Sequence, residues 1–251
     1  MPLLGRDTWV SGPFPKGVLL LETLHGQEAL GRPYNFQLGL LSKDPAIEAK
    51  AVLGKPLAVG IKLDTGGERF FHGIVTRFDK VGTARLHTRY QAELTPQLWV
   101  LAHTGDCRIF NQPGQDALGI VTAVLAKRGL TDVESGALSD HTFRAREYCV
   151  QYRESDFHFV QRLLEEEGIY YFFRHEEAKH TLVLADSLTG HDTVDGYPSI
   201  LYTSKETELV VTEEHFWELK VRKAVYPARH TVLAGYDATK VRPKQDRKSV
   251  V

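Results

Sequence analysis

The sequence is poor in the residues that most often mark chemistry or a special environment. It holds two cysteines, Cys107 and Cys149, and one methionine in 251 residues. Two cysteines cannot make a disulfide scaffold and lack the paired spacing of a zinc site. A single bridge stays open as an alternative, and free thiols in a reducing cytoplasm are the plainer reading. Long apolar runs are missing too: nothing approaches the roughly 18 consecutive apolar residues of a membrane helix. The first 16 residues lack the basic region and apolar core of a secretory signal. If the protein leaves the cell, machinery other than a signal-peptide pathway carries it. Charge of one sign is also lacking. Thirty-one Lys and Arg face 32 Asp and Glu, for a net charge of -1, which gives no long-range pull toward nucleic acid or an anionic membrane. There is no Gly-x-Ser-x-Gly, no P-loop and no Gly-x-Gly-x-x-Gly, which removes the commonest hydrolase and nucleotide sites.

What is present is an ordinary globular composition, 42% hydrophobic and 25% charged, in a length that suits one large domain or two small ones. The first hundred residues read as short strands. Val18–Leu21 is an apolar run, and Tyr34–Leu40 sets Tyr34, Phe36, Leu38 and Leu40 against Asn35, Gln37 and Gly39, the alternation of a strand with one face on a core. Leu57–Leu63 and Arg69–Phe78 flank Asp64-Thr65-Gly66-Gly67, a hairpin turn. A second turn at Val81-Gly82-Thr83 leads to Leu86–Leu94, which Pro96 ends. This spacing predicts an antiparallel barrel or sandwich.

The character then changes. Asp116–Arg128 predicts a helix, with Leu118, Val121, Val124 and Leu125 on one face and Gly129 as its stop. After a strand at Tyr148–Tyr152, Ser155 offers a helix N-cap and Asp156 a negative first turn. Phe157, Val160, Leu163 and Leu164 form the apolar stripe, Glu165, Glu166 and Glu167 a solvated end, and Gly168 the stop. Ile169–Phe173 favours β structure and pairs with Thr181–Ala185 across the polar turn His175–Lys179. A loop follows to about Ser204, with strands expected at Glu208–Thr212, Trp217–Val225 and Thr231–Tyr236. The basic tail Lys240–Lys248 is expected to be flexible.

Two stretches imitate catalytic motifs. Asp64-Thr65-Gly66 matches the Asp-Thr-Gly of aspartic proteases, which need a second carboxylate from another copy of the motif. Here it sits between two amphipathic strands, where any polar turn with glycine serves. His175-Glu176-Glu177-Ala178-Lys179-His180 resembles the zinc motif His-Glu-x-x-His. Its histidines are spaced by five, about 140° apart around a helix, and strand-like residues flank them. The other nine histidines, His25, His72, His87, His103, His141, His158, His191, His215 and His230, are scattered and read as surface or satisfied core residues. Aromatic side chains lack the basic groove that nucleic acid requires. No catalytic, cofactor-binding or metal-binding residue is therefore expected; the chain reads as a β-rich structural module, not an enzyme.

Five ordered blocks carry a family resemblance. They are 69–76, 90–101, 107–111, Gln151-Tyr152-Arg153-Glu154-Ser155-Asp156-Phe157, and 162–173, which ends in Glu167-Gly168-Ile169-Tyr170-Tyr171-Phe172-Phe173. Together they resemble the VgrG proteins of the type VI secretion system, in order from about Val18 to Asp237. The resemblance implies a phage-tail-hub-like, β-dominated α+β fold. It divides into a first antiparallel β-barrel at 1–105, an α+β insertion at 106–204 and the start of a second barrel at 205–251, with a flexible tail from about 240. It implies a homotrimer whose barrels form a ring between the six-fold Hcp tube and the spike, with baseplate proteins, effectors or adaptors as further partners. It implies neither nucleic acid nor a cofactor. A VgrG protein continues through the rest of the second barrel into a neck and a β-helical needle, so the second barrel is expected to be incomplete and membrane insertion is not expected of this chain. The protein is expected in the cytoplasm before firing, then outside the cell or in a target cell as part of a spike. The hub of a phage tail or tailocin, and a shortened, non-functional fragment, are the alternatives.

Overall fold

The computed structural model describes residues 7–63, 66–139, 143–191, 199–203, 215–223, 231–233 and 248–250, in two compact units, Met1–Gly196 and Tyr197–Val251. The first unit opens with six strands: β1 (Thr8–Ser11), β2 (Leu20–Ala29), β3 (Arg32–Ser42), β4 (Pro56–Lys62), β5 (Glu68–Ala84) and β6 (His87–Thr95). They form one antiparallel sheet in the order β1-β4-β5-β6-β3-β2. The expected barrel is a strongly curled half-barrel. Its end strands β1 and β2 come within 8 Å of each other, Cα to Cα, without pairing.

The predicted alternation in β3 sets the inner face. Tyr34, Phe36, Leu38 and Leu40 are all buried, while Gln37 is exposed. They meet Leu57, Val59 and Ile61 of β4, Val75 and Phe78 of β5, and Tyr90, Ala92 and Leu94 of β6 in one core. β4 is covered on both faces. A Cβ on Gly60 would stand 2.3 Å from the Trp9 ring, so only glycine lets β1 lie this close. The β4–β5 hairpin closes where expected, with Lys62 opposite Glu68 and the Leu63 amide donating to the Gly67 carbonyl at 2.8 Å. Asp64 and Thr65 lie outside the described residues. The β5–β6 turn lies later than Val81-Gly82-Thr83. Gly82 (φ 146°) absorbs a register shift inside the ladder, and the chain reverses at Arg85-Leu86, with Arg85 at φ 55°.

Pro96 ends β6 as expected and opens a 3-10 stretch, Gln97–His103, that sends Leu98 and Leu101 into a second core. That core is built from β7 (Gly105–Phe110), α1 (Ala117–Lys127), β8 (Val133–Ala137), β9 (Cys149–Ser155), α2 (Asp156–Glu167), β10 (Tyr170–His175) and β11 (His180–Ala185). β7 and β9 form an antiparallel ribbon, and β10, β11 and β8 a small sheet with β8 parallel to β11. α1 starts where the Asp116 carboxylate accepts the Gly119 amide at 2.7 Å. α2 starts where the Ser155 hydroxyl accepts the His158 amide at 3.1 Å, and it ends at Gly168, held at φ 74°. The buried stripe of α2 runs through Phe159, Val160, Leu163 and Leu164; Phe159 takes the place expected for Phe157, which is half-buried. Phe173 packs against both cores and ties them together.

In the second unit, β12 (Leu201–Tyr202) runs parallel to β13 (His215–Phe216), and β14 (Thr231–Leu233) antiparallel to β15 (Lys248–Val250). The strand expected at Trp217–Val225 is instead His215–Phe216, and the described residues 217–223 are not strand. The strand expected at Glu208–Thr212 and residues 240–247 of the tail lie outside the described residues.

Candidate functional site

The first polar cluster is built by the Gln151–Asp156 segment. β9 carries Gln151 inward and α2 begins with Asp156, and both are fully buried. Asp156 accepts from Gln151 Nε2 at 2.8 Å and Arg108 Nη2 at 2.7 Å on one oxygen, and from Thr104 Oγ1 at 2.8 Å and Arg128 Nε at 2.6 Å on the other. Its own amide donates to the Thr104 carbonyl at 2.8 Å. Burial alone would push the Asp156 carboxyl up. The hydrogen bonds from Gln151, Thr104 and Arg128, with the Arg108 charge, outweigh it and hold the group below its ordinary value. A carboxylate with both oxygens saturated and two cations at contact is a packing hub, with no lone pair left for a substrate. The same segment supplies Glu154, which accepts from Arg162 at 2.9 Å.

Glu165, Glu166 and Glu167, read from the sequence as a solvated helix end, each have a partner. Glu165 accepts from Gln161, while Glu166 and Glu167 pair with Arg146, each at 2.7 Å. Glu167 is half-buried by that pairing rather than fully solvated.

The second cluster surrounds the β10–β11 hairpin. The polar turn is where it was expected, and the register sets His175 opposite His180. The unexpected member is His72 of β5, 5% exposed, whose Nδ1 lies 2.9 Å from His180 Nδ1. The His72 amide donates to His175 Nδ1 at 3.2 Å, and the Gln97 amide to His180 Nε2 at 2.9 Å. Tyr34 stands edge-on to His175 and His180 and donates its hydroxyl to the His72 carbonyl at 2.6 Å. Burial, then the Glu28 charge, pushes the Tyr34 phenol up, so it acts only as a donor. Burial, then His175, pushes His72 down to about 4, and burial, His72 and His175 push His180 down to about 3. His72 thus belongs to a cluster and is not one of a scatter. No sequence signal joins it to a hairpin more than 100 residues away, because only the docking of two sheets brings them together.

The remaining candidates stay apart. Cys107 is exposed, Cys149 is buried, and both thiols are free; burial pushes the Cys149 thiol up. Asp64 lies outside the described residues. Among the described residues, no group of three or more His, Cys, Asp or Glu side chains is arranged to hold a metal ion, and no helix is long and apolar enough to cross a membrane.

Residues 27–250 match the family model described as phage tail baseplate hub (GPD). The chain is similar to two Pseudomonas aeruginosa proteins. It is 40% identical to type VI secretion system spike protein VgrG1a over 237 residues, 93% of this chain and 36% of that one. It is 42% identical to spike protein VgrG1c over 222 residues, 88% and 30% of the respective chains. The chain thus spans about a third of the length of these relatives. Among solved structures it is similar to the E. coli c3393 protein, a component of the type VI secretion system with structural similarity to the T4 bacteriophage tail proteins gp27 and gp5. That likeness has a TM-score of 0.60 at 25% identity and covers 76% of this chain and 49% of the other. A tail protein from Neisseria meningitidis shares the fold, with a TM-score of 0.53 at 14% identity over 81% and 57%. By sequence and by fold the chain belongs to the phage tail baseplate hub family, as a VgrG-like member of the structural, spike-forming kind.

Proposed function

We propose that this chain is the hub portion of a type VI secretion spike, a trimeric adaptor between the Hcp tube and the spike. The observation that supports this most is 40% identity over 237 residues to a spike protein. In this reading residues 1–105 form the first hub barrel, 106–204 the α+β insertion, and 205–251 the start of the second barrel. Three chains then present six barrel positions to a six-fold tube, a task of shape and closed rotational symmetry. No catalytic, cofactor-binding or metal-binding residue takes part. Baseplate proteins and effectors or their adaptors are the further partners, nucleic acid is not, and this portion does not insert into a membrane. The protein waits in the cytoplasm and travels outward, or into a target cell, with the spike and without a signal peptide.

Light scattering and a pull-down with purified Hcp test the proposal together. A trimer mass with retained Hcp is expected, and a clean monomer that retains none overturns it for this chain. The hub of a phage tail or tailocin is the second reading, motivated by the shared fold of the Neisseria tail protein. Neighbouring sheath, tube and immunity genes would favour the secretion system, and phage tail genes the second reading.

A further inference from the structure

The tip of the β10–β11 hairpin lies in the seam between the two unpaired edges of the half-barrel. On the β1 side, Glu177 accepts from Ser11 Oγ at 2.6 Å and Trp9 Nε1 at 3.4 Å, and pairs with Lys16 at 3.2 Å. On the β2 side, His175 Nε2 lies 3.2 Å from the Glu28 carboxylate. Between them stand His72 and His180.

Their partners fix where each ring carries its proton. The Gln97 amide can only donate, so His180 Nε2 presents a lone pair and its proton sits on Nδ1, facing His72 Nδ1. His72 Nδ1 must then accept, and its Nε2–H is left to the Ala178 carbonyl. The His72 amide likewise requires a lone pair on His175 Nδ1, which puts the proton on Nε2 toward Glu28. Every lone pair in the trio is occupied by an N–H. A second proton on His72 or His180 would set donor against donor and break one bond of the chain.

We propose that the hairpin tip is an acid-releasable clasp: the three histidines hold it in the seam, and protonation of the His72–His180 pair undocks it and opens the half-barrel. The low positions of His72 and His180, about 4 and about 3, fit groups held neutral by this arrangement. The charges that face the trio are Glu28 from β2, Asp132 ahead of β8, and Glu177 and Lys179 of the hairpin itself, with the Tyr34 phenol from β3. A cavity of about 250 Å³, lined by Ser11, Lys55, Glu177 and Ala178 among others, reaches His72.

Imidazole nitrogen NMR of the 251-residue chain tests the clasp, with amide exchange at Gln97 and His72 and circular dichroism in parallel. At about pH 5.5, where an ordinary histidine is mostly charged, His72 and His180 are expected to be neutral, with protons on Nε2 and Nδ1 respectively. On further acidification the two amides should lose protection by roughly tenfold per pH unit for each proton taken up, while the helical signal holds. A charged His72 or His180 at about pH 5.5, or protection lost only together with the helices, overturns the proposal. In the pair His72→Asn and His180→Gln, whose side chains do not titrate, the hairpin should stay docked over the same range. Release at the wild-type pH in that variant also overturns it, and should the variant not fold, the wild-type titration decides alone.

Discussion

Asp156→Ala asks directly whether the Gln151–Asp156 segment is a packing hub. The substitution removes a carboxylate that is 0% exposed and takes an acceptor from four donors, Arg108, Arg128, Gln151 and Thr104. Gln151 and Thr104 fall back on long bonds of 3.3 Å to the Glu154 and Val100 carbonyls. The other two are guanidinium groups in largely covered positions. Arg108 keeps Gln151 Oε1 at 2.6 and 2.9 Å but loses its contact carboxylate, and its remaining charge partner, Asp106, stands at 3.4 Å. Stripping one partner from a buried ion pair costs about 3–5 kcal/mol, a large share of the roughly 5–15 kcal/mol that holds a typical domain folded. Asp156→Asn keeps the volume and one acceptor oxygen but turns an N–H toward a donor, and should cost about 2–3 kcal/mol. Urea unfolding near neutral pH, followed by circular dichroism, reads both values without the ionic screening of guanidinium. The carboxyl is held below its ordinary pKa. Its contribution is therefore full above about 3.9 and lost as pH falls through the lowered folded value. The gap between wild type and Asp156→Asn should hold down to about 3.9 and narrow below it until the lowered folded value is passed. A loss under about 1 kcal/mol for Asp156→Ala, the size of an exposed pair, would refute the hub.

Four further outcomes are expected. Phe173→Ala, at the contact of both cores, should cost about 2–4 kcal/mol and split a single urea transition into two, seen by comparing tyrosine fluorescence with circular dichroism. Gly60→Ala would place a Cβ 2.3 Å from the Trp9 ring; it should cost about 1–3 kcal/mol and free the β1 amides to exchange. Gly168→Ala, at φ 74°, should cost about 1 kcal/mol in thermal unfolding with no other change. The buried His72 gives acid sensitivity in a separate window. Its folded pKa of about 4 lies below the ordinary 6.5, so the unfolded chain binds the proton first. The contribution of His72 is then full above about 6.5 and declines by about 3 kcal/mol as pH falls to about 4. His72→Asn should remove this part of the slope in urea melts and leave the part due to His180.

The fold was legible wherever one face of an element is apolar. β3 declared itself by Tyr34, Phe36, Leu38 and Leu40, all buried in one core. α2 declared itself by Ser155 and Gly168, which cap it as their chemistry requires. The hairpin of β10 and β11 follows from two apolar runs around a polar turn. β1 gave no such signal: it has four residues, and what holds it is the absence of a side chain on Gly60, fifty residues away. The late turn at Arg85 was hidden because Gly82, the evident turn residue, serves as a bulge inside the ladder.

The polar clusters were hidden for a deeper reason. In β7 the inward positions are Asp106, Arg108 and Phe110, so the strand turns charge toward the interior and its alternation runs against the usual pattern. Such a pattern makes sense only when the acceptor is known, and the acceptor, Asp156, comes 48 residues later. The histidine trio poses the same difficulty over 108 residues, since His72 meets His180 only after two sheets have docked. Both clusters sit where separately built parts meet: ribbon against helix for Asp156, hairpin against half-barrel for His72. Apolar contacts alone would allow such parts to slide, because dispersion and burial have no direction. Saturated hydrogen bonds of fixed geometry allow one position only. The residues that resembled catalytic motifs in the sequence are, in His175 and His180, residues that set this registry. That is what a hub requires, because its product is a fixed arrangement of surfaces.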